Sequence, residues 1–231
     1  MQTVVVLSGA GISAESGLKT FRGHGGLWEG HRVEDVATPE AFARDPELVL
    51  RFYDERRRQV RAARPNAAHE ALVELERAYD VHVVTQNVDD LHERAGSRNV
   101  LHLHGEIMLA RSTIDPGYTR HLGVADIRPG DTCPRGGQLR PHVVWFGEMV
   151  PAMEEAAAIV ARADIFLCVG TSLLVYPANS LVFATRRDTR RIVVNPEVPE
   201  LVQRHACECI VKTACDGVPE VVASLMREAR A

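Results

Sequence analysis

Six short apolar runs recur along the chain, and each ends in a polar or glycine-rich motif. The runs cover residues 3–7, 81–85, 100–103, 165–169, 191–194 and 208–212. Segments with helical periodicity lie between several of them, at residues 67–78, 152–163 and 199–205, and a further one follows the last run at residues 218–230. This alternation predicts an α/β fold, a Rossmann-like doubly wound parallel sheet with helices on both faces. Ligands bind such sheets at the carboxyl ends of the strands, where this chain carries its polar motifs.

Two stretches break the alternation. Residues 23–65 contain a glycine-rich loop and a long helical run, and residues 106–141 are polar with little periodicity. We interpret both as insertions that build a small subdomain. The prediction is one catalytic domain over residues 1–231, with a Rossmann-like core from residues 1–22, 66–105 and 142–231.

Composition narrows the class of protein. The chain has 231 residues, 45% of them apolar, and a formal net charge of −4. An acidic balance argues against non-specific nucleic-acid binding. No apolar run is long enough to span a bilayer, and no signal peptide is evident. A cytoplasmic setting is therefore expected.

The first strand runs into a glycine turn with the spacing G-x-G-x-x-A, at Gly9, Gly11 and Ala14. Backbone amides after such a turn can face a pyrophosphate, although a turn without a ligand has the same pattern. A dehydrogenase would place an acidic residue after a second strand about twenty residues on. Glu29, Glu34 and Asp35 fall near that distance, but no strand is predicted before them. Hydride transfer and another use of NAD both stay open at this point.

Polar residues also follow the next strands. Gln86, Asn87 and Asp89 come after residues 81–85, and their amides and carboxylate could bind a ribose and a carboxamide. The alternative is a helix cap, for which one such residue is enough. Another candidate phosphate- or ribose-binding strand end is formed by Gly170, Thr171 and Ser172, and Asn195 is a candidate for the adenosine ribose.

His102 and His104 alternate with leucine at a strand end. His104 comes last, at the expected ligand side, where a neutral imidazole could act as a general base near pH 7. The alternatives are a structural histidine or a metal ligand, and a third ligand at a convincing spacing is lacking. Residues 138–148 are an apolar run, interpreted as an exposed extended segment that pairs with a substrate backbone. A buried strand has the same pattern.

Five motifs occur in order: GAGISAESGLKTFR, TQNVDDLHERAG, LHLHGE, LRPHVVWFGE and GTSLLVYPA. Together they resemble the sirtuins, NAD-dependent protein lysine deacylases, over nearly the whole chain. The resemblance implies that NAD is consumed as a co-substrate. It implies catalytic roles for Asn87 and His104, the latter as a base on a ribose hydroxyl. The predicted NAD-binding residues are Gly9, Ala10, Gly11, Ser13, Glu15, Thr20, Phe21, Arg22, Gln86, Asn87, Asp89, Gly170, Thr171, Ser172, Asn195, Ala214 and Cys215.

The substrate of this resemblance is an acylated lysine of a protein. The predicted substrate-binding residues are Tyr53, Arg56, Val143, Val144, Phe146 and Gly147. Tyr53 and Arg56 lie three apart, on one helix face. This Tyr-x-x-Arg pair is similar to the pair in the acyl pocket of the sirtuin branch that removes succinyl, malonyl or glutaryl groups. The chain therefore resembles the bacterial class III-like sirtuins. The alternative is a solvated basic face, since Arg51, Arg57 and Arg58 are close in sequence.

The chain departs from the family in its cysteines. Sirtuins usually carry two C-x-x-C pairs for a structural zinc. Here the first pair is absent and Cys133 stands alone where the second is expected. We predict that zinc is not bound. We also expect a monomer. The alternatives to a deacylase are an NAD glycohydrolase, a mono-ADP-ribosyltransferase, or a non-catalytic sensor of NAD or ADP-ribose.

Overall fold

The computed structural model describes residues 1–19, 27–28, 30–202 and 207–230, and of residues 27 and 28 the backbone alone. The strands are β1 (Thr3–Ser8), β2 (Leu27–Trp28), β3 (His31–Arg32), β4 (Asp80–Thr85), β5 (Val100–His102), β6 (Gly105–Ser112), β7 (Thr119–His121), β8 (Leu139–Val143), β9 (Ile165–Val169), β10 (Arg190–Val194) and β11 (Glu208–Ile210). The helices are α1 (Gly11–Ala14), α2 (Val33–Val36), α3 (Pro39–Arg44), α4 (Pro46–Ala62), α5 (Ala67–Leu75), α6 (Leu91–Ala95), α7 (Met153–Val160) and α8 (Ala214–Glu228), with 3-10 helices at Ala178–Ala184 and Glu200–Val202.

The main sheet is parallel throughout and has the order β11-β10-β9-β1-β4-β5. Read from the other edge and renumbered along the chain, this is the order of a doubly wound dinucleotide-binding fold. The predicted doubly wound α/β fold is confirmed. The order reverses between β1 and β9, so the ligand crevice of such a fold lies at the carboxyl ends of these two strands.

The centre of the sheet is buried on both faces. Val4 and Val6 of β1 pack with residues of α5 and α8, whereas Val5 and Leu7 pack with residues of α7 and the 3-10 helix Ala178–Ala184. Successive side chains of a strand point to opposite faces, so a strand covered on both sides needs an uninterrupted apolar run. That requirement explains why Ile165–Val169 of β9, and the four residues Val4, Val5, Val6 and Leu7 of β1, are uninterrupted apolar runs.

The helix ends follow local side-chain chemistry. Asp45 accepts a hydrogen bond from the amide of Leu48 at 2.9 Å and caps α4, and Asn66 accepts one from the amide of Ala68 at 3.1 Å and caps α5. Of the helix predicted at residues 199–205, Glu200–Val202 forms a 3-10 helix and residues 203–205 lie outside the described residues. In the described part of the chain, no helix has the length and apolarity needed to cross a bilayer.

A second, antiparallel sheet of order β7-β6-β8 lies in the small subdomain, together with α2, α3 and α4. One apolar cluster joins α4 to β6 and contains Val49, Phe52 and Ile107. Another joins Leu50 of α4 to residues of β6, β8 and the intervening loops. The two predicted insertions thus pack on each other through α4, while the exact limits of core and subdomain stay a prediction.

The buried Arg57 also joins the two insertions. It donates from Nη1 to Asp54 Oδ1 at 2.6 Å and from Nε to the carbonyl of Ile107 at 2.8 Å. Asp54 Oδ1 in turn accepts the amide of Ile127 at 3.2 Å. The Asp54–Arg57 ion pair of α4 therefore hydrogen-bonds the backbone of the second insertion at two places, Ile107 and Ile127.

The absence of a strand before Glu34 and Asp35 is a wrong prediction, because β2 and β3 form a two-residue antiparallel pair just before them. These strands do not belong to the parallel sheet. Glu34 and Asp35 lie on α2, and Glu29 lies outside the described residues. Asp35 pairs with Arg44 at 3.0 Å. Neither carboxylate occupies the position that a dehydrogenase uses for a ribose.

Candidate functional site

Two glycine turns meet at the switch point of the sheet. The amide of Gly9 donates to the carbonyl of Val169 at 2.9 Å, and the amide of Gly11 donates to the carbonyl of Gly170 at 2.8 Å. A Cβ atom on Gly11 would lie 2.7 Å from Gly170 O, and one on Gly170, whose φ is +61°, would lie 2.4 Å from Ile12 N. Only glycine allows this approach of backbone to backbone, which leaves an edge without side chains where a pyrophosphate would bind.

Ser13, Asn87 and Asp89 form a buried polar cluster beside these turns. Asn87 Nδ2 donates to Ser13 Oγ and to the carbonyl of Gly9, both at 3.2 Å, and Ser13 Oγ donates to Asp89 Oδ2 at 3.1 Å. Burial raises the pKa of Asp89, and the bonds from the Leu91 amide and Ser13 offset part of that rise. The amide and carboxylate are thereby held rigidly, as a site that orients a polar substrate requires.

His104 lies just beyond β5, and its Nδ1 is 2.9 Å from the carbonyl oxygen of Gln86. A carbonyl can only accept, so the neutral ring carries its proton on Nδ1 and has a lone pair on Nε2. Burial lowers the pKa of His104, although the bond to Gln86 works in the opposite direction. The ring is therefore neutral near pH 7, which is the form a general base needs.

The neighbouring His102 has a different environment. Its Nδ1 is 2.9 Å from the carbonyl of Asn87, and its Nε2 is 2.7 Å from Glu93 Oε1. Burial alone would lower the pKa of His102, but the hydrogen bond and charge of Glu93 outweigh it and raise the pKa. Both ring nitrogens are engaged, so His102 supports the Asn87 backbone, and His104 is the better candidate for proton transfer.

The loops after β4 and β9 are tied to each other. Gln86 Nε2 donates to Thr171 Oγ1 at 3.1 Å, and the Leu173 amide donates to the same oxygen at 3.1 Å. The buried Leu173 has φ of 55°, a conformation that costs a non-glycine residue free energy and is found mostly at functional sites. Ser172 is exposed beside it.

The predicted adenosine side is brought together by Glu15. Its carboxylate accepts the amide of Cys215 at 2.9 Å and the hydroxyl of Thr213 at 3.2 Å, and Ala214 lies between these residues. Burial opposes ionisation, but the bonds from Cys215 and Thr213 lower the pKa of Glu15 overall. Asn195 follows β10 and donates to the carbonyl of Glu197. The predicted residues Thr20, Phe21 and Arg22 lie outside the described residues.

Tyr53 and Arg56 are buried on α4, with 1% and 7% of their surface exposed. Tyr53 OH accepts a hydrogen bond from Trp145 Nε1 at 3.0 Å. The alternative of a solvated basic face fits Arg51 and Arg58, which are exposed, and does not fit Arg56 or Arg57. The helix therefore separates its arginines into an inner and an outer set.

Residues 138–148 are not one exposed extended segment, so that interpretation is corrected. Val143 belongs to the buried strand β8 and pairs with Gly105. The Val144 amide donates to the carbonyl of His104 at 2.9 Å, and the Phe146 amide donates to the carbonyl of Ala37 at 3.0 Å. Gly147 is exposed in the turn that follows, with φ of +89°. Substrate binding at this turn stays a prediction.

Sequence reasoning missed a buried polar group beneath the two turns. Ser8 Oγ donates to Thr85 Oγ1 at 2.8 Å and lies 2.9 Å from His92 Nε2. The His92 and His69 rings meet edge to face with centroids 4.9 Å apart. Ser8 and Thr85 end β1 and β4, and this shared position at the strand ends was the available signal.

The fold and the two glycine turns at its switch point define a class: an α/β protein of the dinucleotide-binding type. Residues 9–177 match the Sir2 family. A protein of Aggregatibacter actinomycetemcomitans named NAD-dependent protein deacylase is 56% identical over 192 residues, which are 83% of this chain and 92% of that protein. A Helicobacter pylori protein of the same name is 45% identical over 99% of this chain and 97% of its own length.

The crystal structure of a Sir2 homologue in complex with NAD is similar to this chain with a TM-score of 0.89. The two are 42% identical, and the alignment covers 98% of this chain and 90% of that structure. The chain belongs to the Sir2 family. Its glycine turns, which a Cβ atom would fill, fit the dinucleotide that the homologue binds.

Proposed function

We infer that the chain is an NAD-dependent protein lysine deacylase, and we propose that it prefers succinyl- and malonyl-lysine, with acetyl-lysine also a substrate. The observation that carries the proposal is the position of His104, with a basic Nε2, next to the Asn87–Ser13–Asp89 cluster at the switch point. This chain aligns with nearly the full length of the relatives that are named deacylases, which supports the same reaction here.

The residues divide the reaction between them. The glycine turns at Gly9 and Gly170 would let the pyrophosphate approach the backbone closely, and Asn87 and Asp89 would orient the nicotinamide and its ribose. The acyl oxygen of the substrate would attack C1′ of that ribose, and nicotinamide would leave with the bonding electrons. His104 Nε2 would accept the proton of a ribose hydroxyl, whose oxygen attacks the acyl carbon. One water molecule would then add to the acyl carbon while its bonds to the lysine nitrogen and to the C1′ oxygen break, which gives the lysine amine and O-acyl-ADP-ribose.

The acyl preference rests on Tyr53 and Arg56. A terminal carboxylate in a buried channel needs a charged or hydrogen-bonding partner, because an unpaired buried charge is strongly unfavourable. A buried guanidinium with a phenol one turn away can supply both. An NAD glycohydrolase or a sensor of NAD or ADP-ribose would have no use for this pair. We also propose that the small subdomain binds no structural zinc, because Cys133 is its single thiol.

The test uses two peptides that differ only in carrying acetyl- or succinyl-lysine. Nicotinamide release and peptide mass are followed with NAD for the wild type, Arg56→Met, and Arg51→Met as the control from the exposed side of the same helix. We expect Arg56→Met to lower kcat/KM for the succinyl peptide by about 10- to 100-fold, the size of a hydrogen bond to a charged group. Arg51→Met should match the wild type.

Three outcomes would contradict the proposal. Equal losses of kcat/KM for both peptides in Arg56→Met would show that Arg56 does not bind the carboxylate of the acyl group. Nicotinamide release without a change in peptide mass would indicate a glycohydrolase. Tight NAD binding with no nicotinamide release, in the presence of either peptide, would indicate a sensor.

A further inference from the structure

Trp145 joins the turn beside the proposed substrate site to the proposed acyl pocket. Its side chain is buried, with 2% exposed, and its Nε1 donates to Tyr53 OH at 3.0 Å. The centroids of these two rings lie 6.3 Å apart, and the Phe42 ring also packs on Trp145, with centroids 5.3 Å apart. The indole is thus held in place by packing as well as by its hydrogen bond.

An ion pair fixes the Trp145 backbone. Arg140 binds Glu148 with two hydrogen bonds of 2.7 and 2.9 Å, and Glu148 Oε2 accepts the Trp145 amide at 2.8 Å. The Arg140 guanidinium lies 3.3 Å from the centroid of the Trp145 ring. A bidentate pair that also stacks on the ring leaves the indole little freedom to rotate.

The direction of the Trp145 bond has a consequence for Tyr53. An indole N–H only donates, so Tyr53 oxygen is the acceptor and its own hydrogen points away from Trp145. We propose that Trp145 is a positioning residue for acyl specificity: it holds the Tyr53 hydroxyl as a donor towards the terminal carboxylate of an acidic acyl group. This inference rests on the proposed function, because it concerns the same acyl pocket.

The first test is the ratio of desuccinylation to deacetylation. Trp145→Phe keeps an aromatic ring but removes the N–H donor, and we expect it to lower the ratio of the two kcat/KM values about fivefold, as for one neutral hydrogen bond. Phe42→Leu is the matched control, since it disturbs packing on the same indole and leaves the donor in place. It should retain the wild-type ratio.

A double-mutant cycle then asks whether Trp145 acts through Tyr53. In a Tyr53→Phe background, Trp145→Phe should lower the ratio no further, because the hydroxyl it positions is already gone. If Trp145→Phe folds poorly, Trp145 is replaced with 3-benzothienylalanine, which has the shape of the indole without its N–H. This variant should show the same fall in the ratio that we expect for Trp145→Phe.

The outcomes separate the two proposals. A wild type that removes neither acyl group with NAD overturns the proposed function and this inference with it. A wild type that removes succinyl groups, with the same ratio in the benzothienyl variant, overturns only the role of Trp145. An additive loss in the Tyr53→Phe background also overturns it.

Discussion

At the scale of single residues, His104 and His102 lie two positions apart and have different hydrogen-bond partners. His104 has one ring nitrogen bound to a carbonyl, and its pKa is lowered by burial. His102 is bound at both nitrogens, and Glu93 raises its pKa. Position at a strand end was enough to single out His104, but only the partners of each ring explain why the other histidine is unsuited to proton transfer.

We predict that His104→Gln lowers kcat/KM for acyl removal by about 10²- to 10⁴-fold, the usual contribution of a general base. The base must be neutral, so activity is present above its pKa and falls as pH drops through it. Because burial lowers that pKa, the acid limb of kcat/KM for the wild type should lie below the ordinary histidine value of about 6.5. A pH profile from 5 to 8 measures it.

His121→Gln is the control, because His121 is exposed on β7 in the small subdomain. It should leave both the rate and the pH profile unchanged. A wild-type acid limb at or above pH 6.5, or a fully active His104→Gln variant, would contradict the assignment of His104 as the base.

The position of a residue at a strand end predicts contacts within the sheet, but it does not predict contacts between distant loops and helices. Asn87 and Asp89 follow a parallel strand next to β1, so their contacts with Ser13 follow from the fold. The contact of Trp145 with Tyr53 spans 92 positions and joins a turn of the core to a helix of the first insertion. No spacing in the sequence encodes such a contact.

At the scale of elements, the His69–His92 contact joins α5 to α6 below the site. Burial lowers the pKa of His69 to about 4, and burial with the charges of His69 and His102 lowers the pKa of His92 to about 3. Glu93 is the neighbouring group that works against the shift of His69. The two rings are therefore neutral in the folded protein at pH values where they would be charged in the unfolded chain.

This difference predicts a loss of stability in mild acid. Between pH 6.5 and 4 the unfolded chain binds more protons than the folded one, so the free energy of unfolding falls as pH is lowered through that window. Each histidine should contribute a loss of about 2 kcal/mol between pH 7 and pH 5. Urea unfolding at both pH values should show a smaller loss for His92→Gln than for the wild type. An unchanged loss in His92→Gln, or an equal effect of His121→Gln, would contradict this explanation.

The next prediction concerns the Asp54–Arg57 ion pair, which connects α4 to the second insertion. Asp54→Asn leaves the Arg57 charge buried without its counterion, so we expect the free energy of unfolding to fall by about 3 kcal/mol. The matched control is Asp126→Asn, which removes the 2.6 Å pair of Asp126 with the half-exposed Arg58. That loss should stay below about 1 kcal/mol. Urea unfolding measures both, and equal losses would contradict a special role for the buried pair.

At the scale of the whole molecule, the parallel sheet and a small subdomain built from two insertions were predicted, but the strands inside that subdomain were not. The central strands β1 and β9 are buried on both faces and are short apolar runs, so their positions are visible in the local sequence. Residues 106–141 form β7 from three exposed residues and are closed by contacts to α4, so local patterning is weak there. The monomeric state and the cytoplasmic setting stay predictions.

The last prediction is that this subdomain folds without a structural zinc. Cys133 accepts a hydrogen bond from Ser112 Oγ at 3.2 Å and packs with Leu139, Ile127 and Leu50. In the part of the chain that the structure describes, no three His, Cys, Asp or Glu side chains are grouped to hold a metal ion. The contacts of Cys133 are those of a small apolar residue, so we expect the subdomain to fold by packing.

Protein purified in medium containing zinc should therefore carry far less than one zinc per chain, and EDTA should leave its Tm unchanged. Cys133→Ala should lower the free energy of unfolding by about 1 kcal/mol, the effect of losing a small buried group. Cys209→Ala, at an exposed cysteine of β11, should have no effect. Stoichiometric zinc that survives dialysis, with a Tm that falls in EDTA and a zinc content that falls in Cys133→Ala, would show instead that Cys133 is a ligand. In that case the remaining ligands would have to come from other parts of the chain or from a second copy, because one thiolate cannot complete a tetrahedral site.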